Sequence, residues 1–379
     1  MLPYVHLDVM KWEVKTLHIH VLERLGMKLN LIKSAVVVAG LSVASVLLSG
    51  AAITPAQAAT GTPLIIYAAE GYDQVAADAF TKATGIKTVL HDDSTGPLLA
   101  KVAAEKSNPQ FGVLWVDGAT AFAALDKQGE LLPYTPKATF TAAGNSVVPA
   151  DHSYIPTGLT TMAALIYNSA KVKTLPKSYN DLLNPMYKGQ IGMNDPNQSG
   201  PTFPFIAGLM NQLGGKSVTA GENFLSKLKA NGLVVNNTNG DTLHALETGI
   251  INMGLIQSSA AQGEVLKLAA KPVAGFTPKV IYLAKSTLLP SVIGIDKGAS
   301  SVVQAEAKKF IDYVLSPAGQ AVMQTGDTQG DSLYWPIIPG VKPLAGAGNL
   351  PASYQSIDPY FWGPLEGQVN AWFTKNIRA

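Results

Sequence analysis

The chain has 379 residues, 47% of them hydrophobic and 14% charged, a balance suited to about two well-packed globular domains. It contains no cysteine, which excludes disulfides, thiolate metal sites and cysteine nucleophiles together. With 28 Lys+Arg against 26 Asp+Glu, its formal net charge of +2 gives no reason to expect nucleic acid or an anionic membrane as partner.

Residues 1–58 read as a leader. Lys28 and Lys33 precede the apolar run Ala35 to Ile53, and Ala56-Gln57-Ala58 follows as an A-x-A cleavage site. That is the pattern of a secretory signal peptide over 27–58, and an uncleaved membrane anchor is its competitor because the run is long for a signal. Residues 1–26 lack the character of a signal n-region, so Met27 reads as the true start. No cysteine stands at the cleavage point, which excludes a lipid anchor and leaves periplasmic delivery as the expectation. Less the leader's five Lys/Arg and three Asp/Glu, the mature chain carries 23 of each sign, and its one arginine is Arg378. Any anion it binds must then rely on backbone N–H groups, hydroxyls and lysines, unless Arg378 reaches the site.

Beyond the leader, strand, polar loop and helix alternate. Pro63 to Ala69 reads as a strand, Glu70-Gly71-Tyr72 as a loop, and Asp73 to Thr84 as a helix stopped by Gly85. Ile86 to His91 is a second strand, Asp92 through Gly96 a cap, and Pro97 to Lys106 a helix. Phe111 to Val116 is a third strand, ended by Asp117-Gly118 before a helix over Ala119 to Gln128. Three such repeats predict a parallel α/β sheet with right-handed crossovers. Tyr154 to Asn168 is a longer extended stretch and reads as the first crossing between two lobes. The second lobe holds Ser178 to Leu183, the short strand Gln190 to Met193, a polar loop from Asn194 to Gly200, and helices over Pro201 to Leu213 and Asn223 to Ala230. Val234-Val235 is a strand there too. Asn239, Gly240 and Asp241 cap a helix stopped at Gly249, Ile250 to Ile256 is a strand of buried character, and Gln257-Ser258-Ser259 closes it. Val280 to Ala284 and then Val292 to Ile295 read as the return to the first lobe. Helices follow over Gln304 to Leu315 and Pro317 to Gln324, and an aromatic, Pro- and Gly-rich tail wraps the outside. The resulting bounds are 59–158 plus 285–340 for lobe 1, 159–284 for lobe 2 and 341–379 for the tail.

Enzyme signatures are mostly missing. Gly214-Gly215-Lys216-Ser217 lacks the first glycine of a P-loop, which would stand at Met210, and it follows a helix. His91, His152 and His244 are widely spaced, and His244 with Glu247 on one helical face implies no third zinc ligand. There is no G-x-S-x-G elbow, and Ser226-x-x-Lys229 lacks its companion motifs. What recurs is a set of polar loops after strands: Glu70-Gly71-Tyr72, Ser94-Thr95-Gly96, Asp117-Gly118, Asp195 through Ser199-Gly200, and Gln257-Ser258-Ser259. Taken singly each is an ordinary cap. Placed together at the carboxyl edge of a sheet, they would aim hydroxyls and unpaired helix N–H groups into one cleft.

The blocks LIIYAAEG (64–71), STGPLLAKVAAEK (94–106), YNSAKV (167–172), NDPNQSGPTFPFIAGL (194–209), GDTLHALETGIINMGLIQSSAA (240–261), FIDYVLSPAGQAVM (310–323) and YWPIIPGVKPL (334–344) occur in an order that resembles the extracellular solute-binding proteins of ATP-driven importers. The similarity is to their ferric-iron, putrescine and aminoethylphosphonate group. It implies a type II periplasmic-binding fold of two α/β lobes, joined by hinge strands around a ligand cleft. It also implies closure on a small solute and delivery to ABC permease subunits in the inner membrane, by a monomer with no cofactor. Iron-binding members carry adjacent tyrosines where this chain has Ser258-Ser259, and neutral hydroxyls are poor ferric ligands. Serines at helix starts suit a phosphonate, phosphate ester or polyol. Ser94, Thr95, Gly96, Ser199, Gly200, Ser258 and Ser259 are therefore expected at the anionic end of the solute, and Glu70, Tyr72, Asp117 and Asp195 at the remainder, where an amine would fit. Ferric iron or a polyamine are the alternatives on the same fold. A secreted enzyme would need an acid–base pair among Asp117, Asp195 and Asp241. A sensory receptor would carry no distinguishing motif.

Overall fold

A computed structural model describes residues 61–378; the expected signal peptide and the start at Met27 lie outside the described residues. In chain order, β1 (Leu64–Ala68), α1 (Asp73–Thr84), β2 (Thr88–Asp92), α2 (Thr95–Ala104), β3 (Val113–Asp117) and α3 (Ala119–Lys127) build the first three strand–helix repeats. A single turn, α4 (Ala142–Asn145), leads to the long strand β4 (Ile155–Asn168). Then come β5 (Ile191–Asn194), α5 (Thr202–Gly214), α6 (Val218–Ala230), β6 (Val234–Asn236), α7 (Asn239–Glu247), β7 (Met253–Ile256) and α8 (Ser258–Ala270). The second long strand, β8 (Pro278–Ile295), is followed by α9 (Ser301–Val314), α10 (Pro317–Gly326), β9 (Tyr354–Gln355), α11 (Pro359–Trp362) and α12 (Glu366–Phe373).

One sheet runs β2-β1-β3-β8-β4-β7-β5-β6, with β9 beside β8. Strands β1, β2 and β3 are mutually parallel, as are β5, β6 and β7, so each half has one carboxyl edge. The antiparallel pair β4 and β8 belongs to both halves. Ile155 to Met162 pairs with Ile293 to Thr287, whereas Ala164 to Asn168 pairs with Tyr282 to Pro278. The register slips between Met162 and Ala164, where β8 bulges, and this divides the sheet into two lobes.

Both faces of the central strands are covered in each lobe, which is why β3, β5 and β7 are buried throughout, whereas the edge strand β2 is largely exposed. Phe80, Trp115, Ile293, Phe310 and Tyr334 fill one face of lobe 1, and Leu98, Phe122, Tyr154 and Val292 the other. In lobe 2, Leu165, Phe203, Ile206, Phe224 and Leu255 pack one face, and Ile166, Leu246, Ile256 and Leu268 the other. The tail enters these cores. Val341 and Leu350 pack against the lobe 1 core, while Trp362, Val369, Phe373 and Ile377 are buried in lobe 2.

Three elements differ from the sequence reading. The return crossing is one strand of 18 residues and not two: Lys285 to Thr287 breaks the apolar pattern at the bulge, where residues 283–286 have no β4 partner, and β9 pairs with Ser286 and Thr287 there. β7 begins at Met253: Gly249 turns the chain at φ +75° and Ile250 is 62% exposed. α6 starts five residues early, because Ser217 caps it by accepting from the Ala220 N–H.

Candidate functional site

The carboxyl edges of the two half-sheets face each other across a cavity of about 480 Å³. From lobe 1, β1 delivers Glu70 and Gly71, β2 delivers Asp92 and Asp93, the start of α2 supplies Ser94 and Thr95, and β3 ends on Asp117. Asp331 joins them from the turn after α10. From lobe 2 come Gln198 to Pro201 ahead of α5, Thr238 to Gly240 at the start of α7, and Gln257, which caps α8. The walls differ in charge. Lobe 1 supplies five carboxylates; lobe 2 supplies none, and among the described residues no Lys or Arg lines the cavity.

Local chemistry fixes the lobe 2 wall. Thr238 and Asp241 form a capping box on α7: Thr238 Oγ1 accepts from the Asp241 N–H (3.2 Å) and Asp241 Oδ2 accepts from the Thr238 N–H (3.1 Å). The amides of Asn239 and Gly240 in that first turn have no intrahelical acceptor. Fully buried Asn194 ties the loops together, donating to Ser199 Oγ (3.2 Å) and Asn239 Oδ1 (2.7 Å) and accepting from Thr242 Oγ1 (2.7 Å).

The lobe 1 carboxylates are buried close to one another. Burial, and then the charges of Asp117 and Asp331, push the Glu70 carboxyl well above its usual range, even though Ser291 Oγ donates to Glu70 Oε1 at 2.6 Å. Burial and Asp331 do the same to Asp117. Burial raises Asp331 against the Gly71 N–H that its Oδ2 accepts at 3.0 Å. Behind them Asp73 is pushed up to about 7, by burial and then by Asp92. Such a set favours neutral carboxyls, or a positive charge placed beside them.

The lobes touch beside the cavity. The Gly96 N–H donates to Gln198 O (3.3 Å), Gln257 Nε2 to Asp117 Oδ2 (2.8 Å) and Ser259 Oγ to Asp331 Oδ1 (3.3 Å). A Cβ on Gly96 would overlap the Asn197 carbonyl, so this approach requires glycine.

Of the residues expected from sequence, Glu70, Ser94, Thr95, Asp117, Ser199 and Gly200 line this cavity. The other five do not. Gly96 lies at the lobe contact. Tyr72 is buried in the lobe 1 core between Trp115 and Tyr334, with ring centroids 5.4 and 5.5 Å away. Asp195 is buried under its own loop, paired with Arg378. Ser258 Oγ accepts from the Thr161 N–H on β4 (3.0 Å), and Ser259 is spent on Asp331. In a helix that opens directly after the strand, these two side chains fall beside and behind the first turn, and Gln257 takes the position facing the cavity. Sequence reasoning missed Asp331 altogether. Its one local signal is the pair of aspartates in Asp327 to Asp331, which reads as a turn. Among the described residues no cluster of His, Asp or Glu is arranged to hold a metal ion.

Two α/β lobes on shared hinge strands, with helix starts and strand ends around a polar cavity, define a two-lobed solute receptor of the type II periplasmic-binding fold. Residues 75–353 match the family model for bacterial extracellular solute-binding proteins, and the chain belongs to that family as the solute-binding component of an ABC importer. A periplasmic protein of Salmonella paratyphi A, provisionally named for 2-aminoethylphosphonate binding, is 30% identical over 254 residues, 65% of this chain and 70% of that one. The Fe(3+)-binding periplasmic protein of Serratia marcescens is 26% identical over 281 residues, 72% and 79% of the two chains. The fold is shared with AfuA from Actinobacillus pleuropneumoniae, whose structure holds fructose-6-phosphate, at TM-score 0.70 and 20% identity, over 83% of this chain and 98% of that one. Among the described residues no helix is long and apolar enough to cross a membrane.

Proposed function

We propose that the solute is a small zwitterion, an aminoalkylphosphonate or a close analogue, with its ammonium against lobe 1 and its anionic group against lobe 2. The observation that carries this reading is the asymmetry of the walls. Among the described residues no Lys or Arg lines the cavity beside Glu70, Asp117 and Asp331, whereas the starts of α5 and α7 offer Ser199, Thr238 and amide hydrogens with the positive ends of their dipoles, and Gln257 stands at the start of α8. A phosphate ester without an amine would meet five carboxylates and no basic side chain. A polyamine would satisfy the acids and leave the helix starts unused, and no aromatic face among the described residues lines the cavity to assist it. The described lining also holds no tyrosine or histidine for ferric ion.

Binding works by closure about β4 and β8, with 59–158 plus 285–340 and 159–284 as the moving bodies. A solute touching both walls stabilises the closed state by its differential affinity, and the permease reads that state. The protein acts in the periplasm after removal of its leader, as a monomer, and releases its solute unchanged. The sequence-matched phosphonate protein of Salmonella supports the chemistry, and the acidic wall adds the requirement for an amine.

Calorimetric titration with 2-aminoethylphosphonate, ethylphosphonate, ethanolamine, putrescine and ferric citrate tests the reading. The zwitterion should bind at micromolar or tighter, about −8 kcal/mol, and each half-molecule at least about 100-fold more weakly. Ethylphosphonate binding as well as the zwitterion, or putrescine binding better, would overturn it.

A further inference from the structure

We propose that Arg378 is a positioning residue for the cleft: it holds the roots of two lobe 2 loops that line the cavity, without lining it. Its guanidinium pairs with Asp195 Oδ2 and also donates to Asn237 Oδ1 at 2.8 Å. Asp195 opens the loop that ends in Ser199 and Gly200, and Asn237 directly precedes the Thr238 cap of α7. One planar fork therefore spans both loops, a reach that a single ammonium lacks.

The loop depends on this cation. Asp195 is 1% exposed, and its other oxygen accepts from Asn197 N and Asn197 Nδ2, both at 2.9 Å. Asn197 Nδ2 also reaches Thr374 Oγ1 (3.0 Å) and Asn370 Nδ2 donates to Pro196 O (3.4 Å), so the tail holds the same loop at three points, of which only Arg378 brings a charge. Without Arg378, a buried carboxylate keeps only neutral donors, and it recovers solvation by lifting the loop outward. That motion carries away the Ser199–Gly200 wall and the Gln198 carbonyl that takes the Gly96 N–H at closure. The chain's one arginine beyond the leader thus serves the binding site indirectly and does not grip the solute.

This assignment is independent of the solute's identity, and the experiment separates the two. Hydrogen exchange is measured on the full chain and on Arg378→Ala, Arg378→Lys and Asn237→Ala, with calorimetry on 2-aminoethylphosphonate alongside. In Arg378→Ala, segments 195–201 and 237–241 should exchange about tenfold faster while the rest of lobe 2 is unchanged, and Kd should rise about tenfold. Arg378→Lys should restore 195–201 but not 237–241, and Asn237→Ala should loosen 237–241 alone. A general loss of stability would give neither pattern. Unchanged exchange in both segments, or an even rise across lobe 2, overturns the assignment. If the unaltered protein fails to bind the zwitterion, the ligand reading fails and the exchange data still decide the role of Arg378.

Discussion

Replacing Asp117 by asparagine removes one ionisable carboxyl from the acidic wall and changes little else. The amide oxygen of the substituted side chain can still accept from Gln257 Nε2, which lies 2.8 Å from Asp117 Oδ2, so the lobe contact survives. An ammonium about 4 Å from that carboxylate, at an effective dielectric near 20, gains about 4 kcal/mol. Part of this is offset, because burial and Asp331 hold Asp117 well above the usual carboxylate range. An arriving amine favours the ionised carboxylate and works against that upward push, so only part of the Coulombic gain appears as affinity. The loss on substitution is therefore smaller than about 4 kcal/mol, and a rise of at least about tenfold in Kd for 2-aminoethylphosphonate is expected. Titration in two buffers of different ionisation enthalpy also counts protons. The unaltered protein should release them on binding, and Asp117→Asn should release fewer. Ethylphosphonate, which has no amine, should bind Asp117→Asn as well as or better than the original. Unchanged affinity for the zwitterion, with no proton released by either form, would refute the acidic-wall argument.

Gly96→Val should hold the lobes apart, because its Cβ would overlap the Asn197 carbonyl. Small-angle scattering should then show an expanded particle in saturating solute, and a compact one would count against the contact. Asp73, pushed up to about 7, keeps a proton when folded that the unfolded chain loses near its ordinary 3.8. Between those values the unfolded state binds fewer protons, so stability falls as pH rises, by about 1.4 kcal/mol per unit. The solute-free protein should therefore melt higher at pH 5 than at pH 7, and Asp73→Asn should flatten that slope. Ser258→Ala leaves the buried Thr161 N–H without its acceptor and should cost about 1–3 kcal/mol in urea unfolding. Its solute affinity should stay within about twofold, since a polar group confined to the hinge gives the solute no direct contact.

The fold was legible wherever its signal is local. Asp73 to Thr84 is helical over the same twelve residues the periodicity indicates, and Gly85 ends it with φ +74°. Strand–loop–helix repetition gave the parallel half-sheets, and the long extended stretch before Asn168 gave the first hinge strand. Errors arose where tertiary contacts override the pattern. Lys285 and Ser286 break the apolar run at the bulge, where Lys285 takes a left-handed φ of +61°, but Ser286 and Thr287 pair with β9 and the strand continues on both sides. Trp362 and Phe373 look like an outer wrap in sequence, yet lobe 2 leaves a gap in its apolar face that they complete.

The site was half legible for a related reason. A loop after a strand can be recognised as facing the cleft, but which of its side chains turns inward depends on where the next helix begins. Ser258 and Ser259 look like the natural ligands, and the early start of α8 gives that position to Gln257. The electrostatics are still less local. Glu70, Asp92, Asp93, Asp117 and Asp331 come from four separate segments, and in each the carboxylate passes for an ordinary turn or cap residue. Balanced overall charge then conceals the acidity that the fold concentrates on one wall. The same topology spends Arg378, the one arginine among the described residues, on Asp195, behind the opposite wall. Under the proposed zwitterion reading the cation is brought by the solute, and selectivity for an amine rests on where the fold has placed Arg378 as much as on the acids the solute faces.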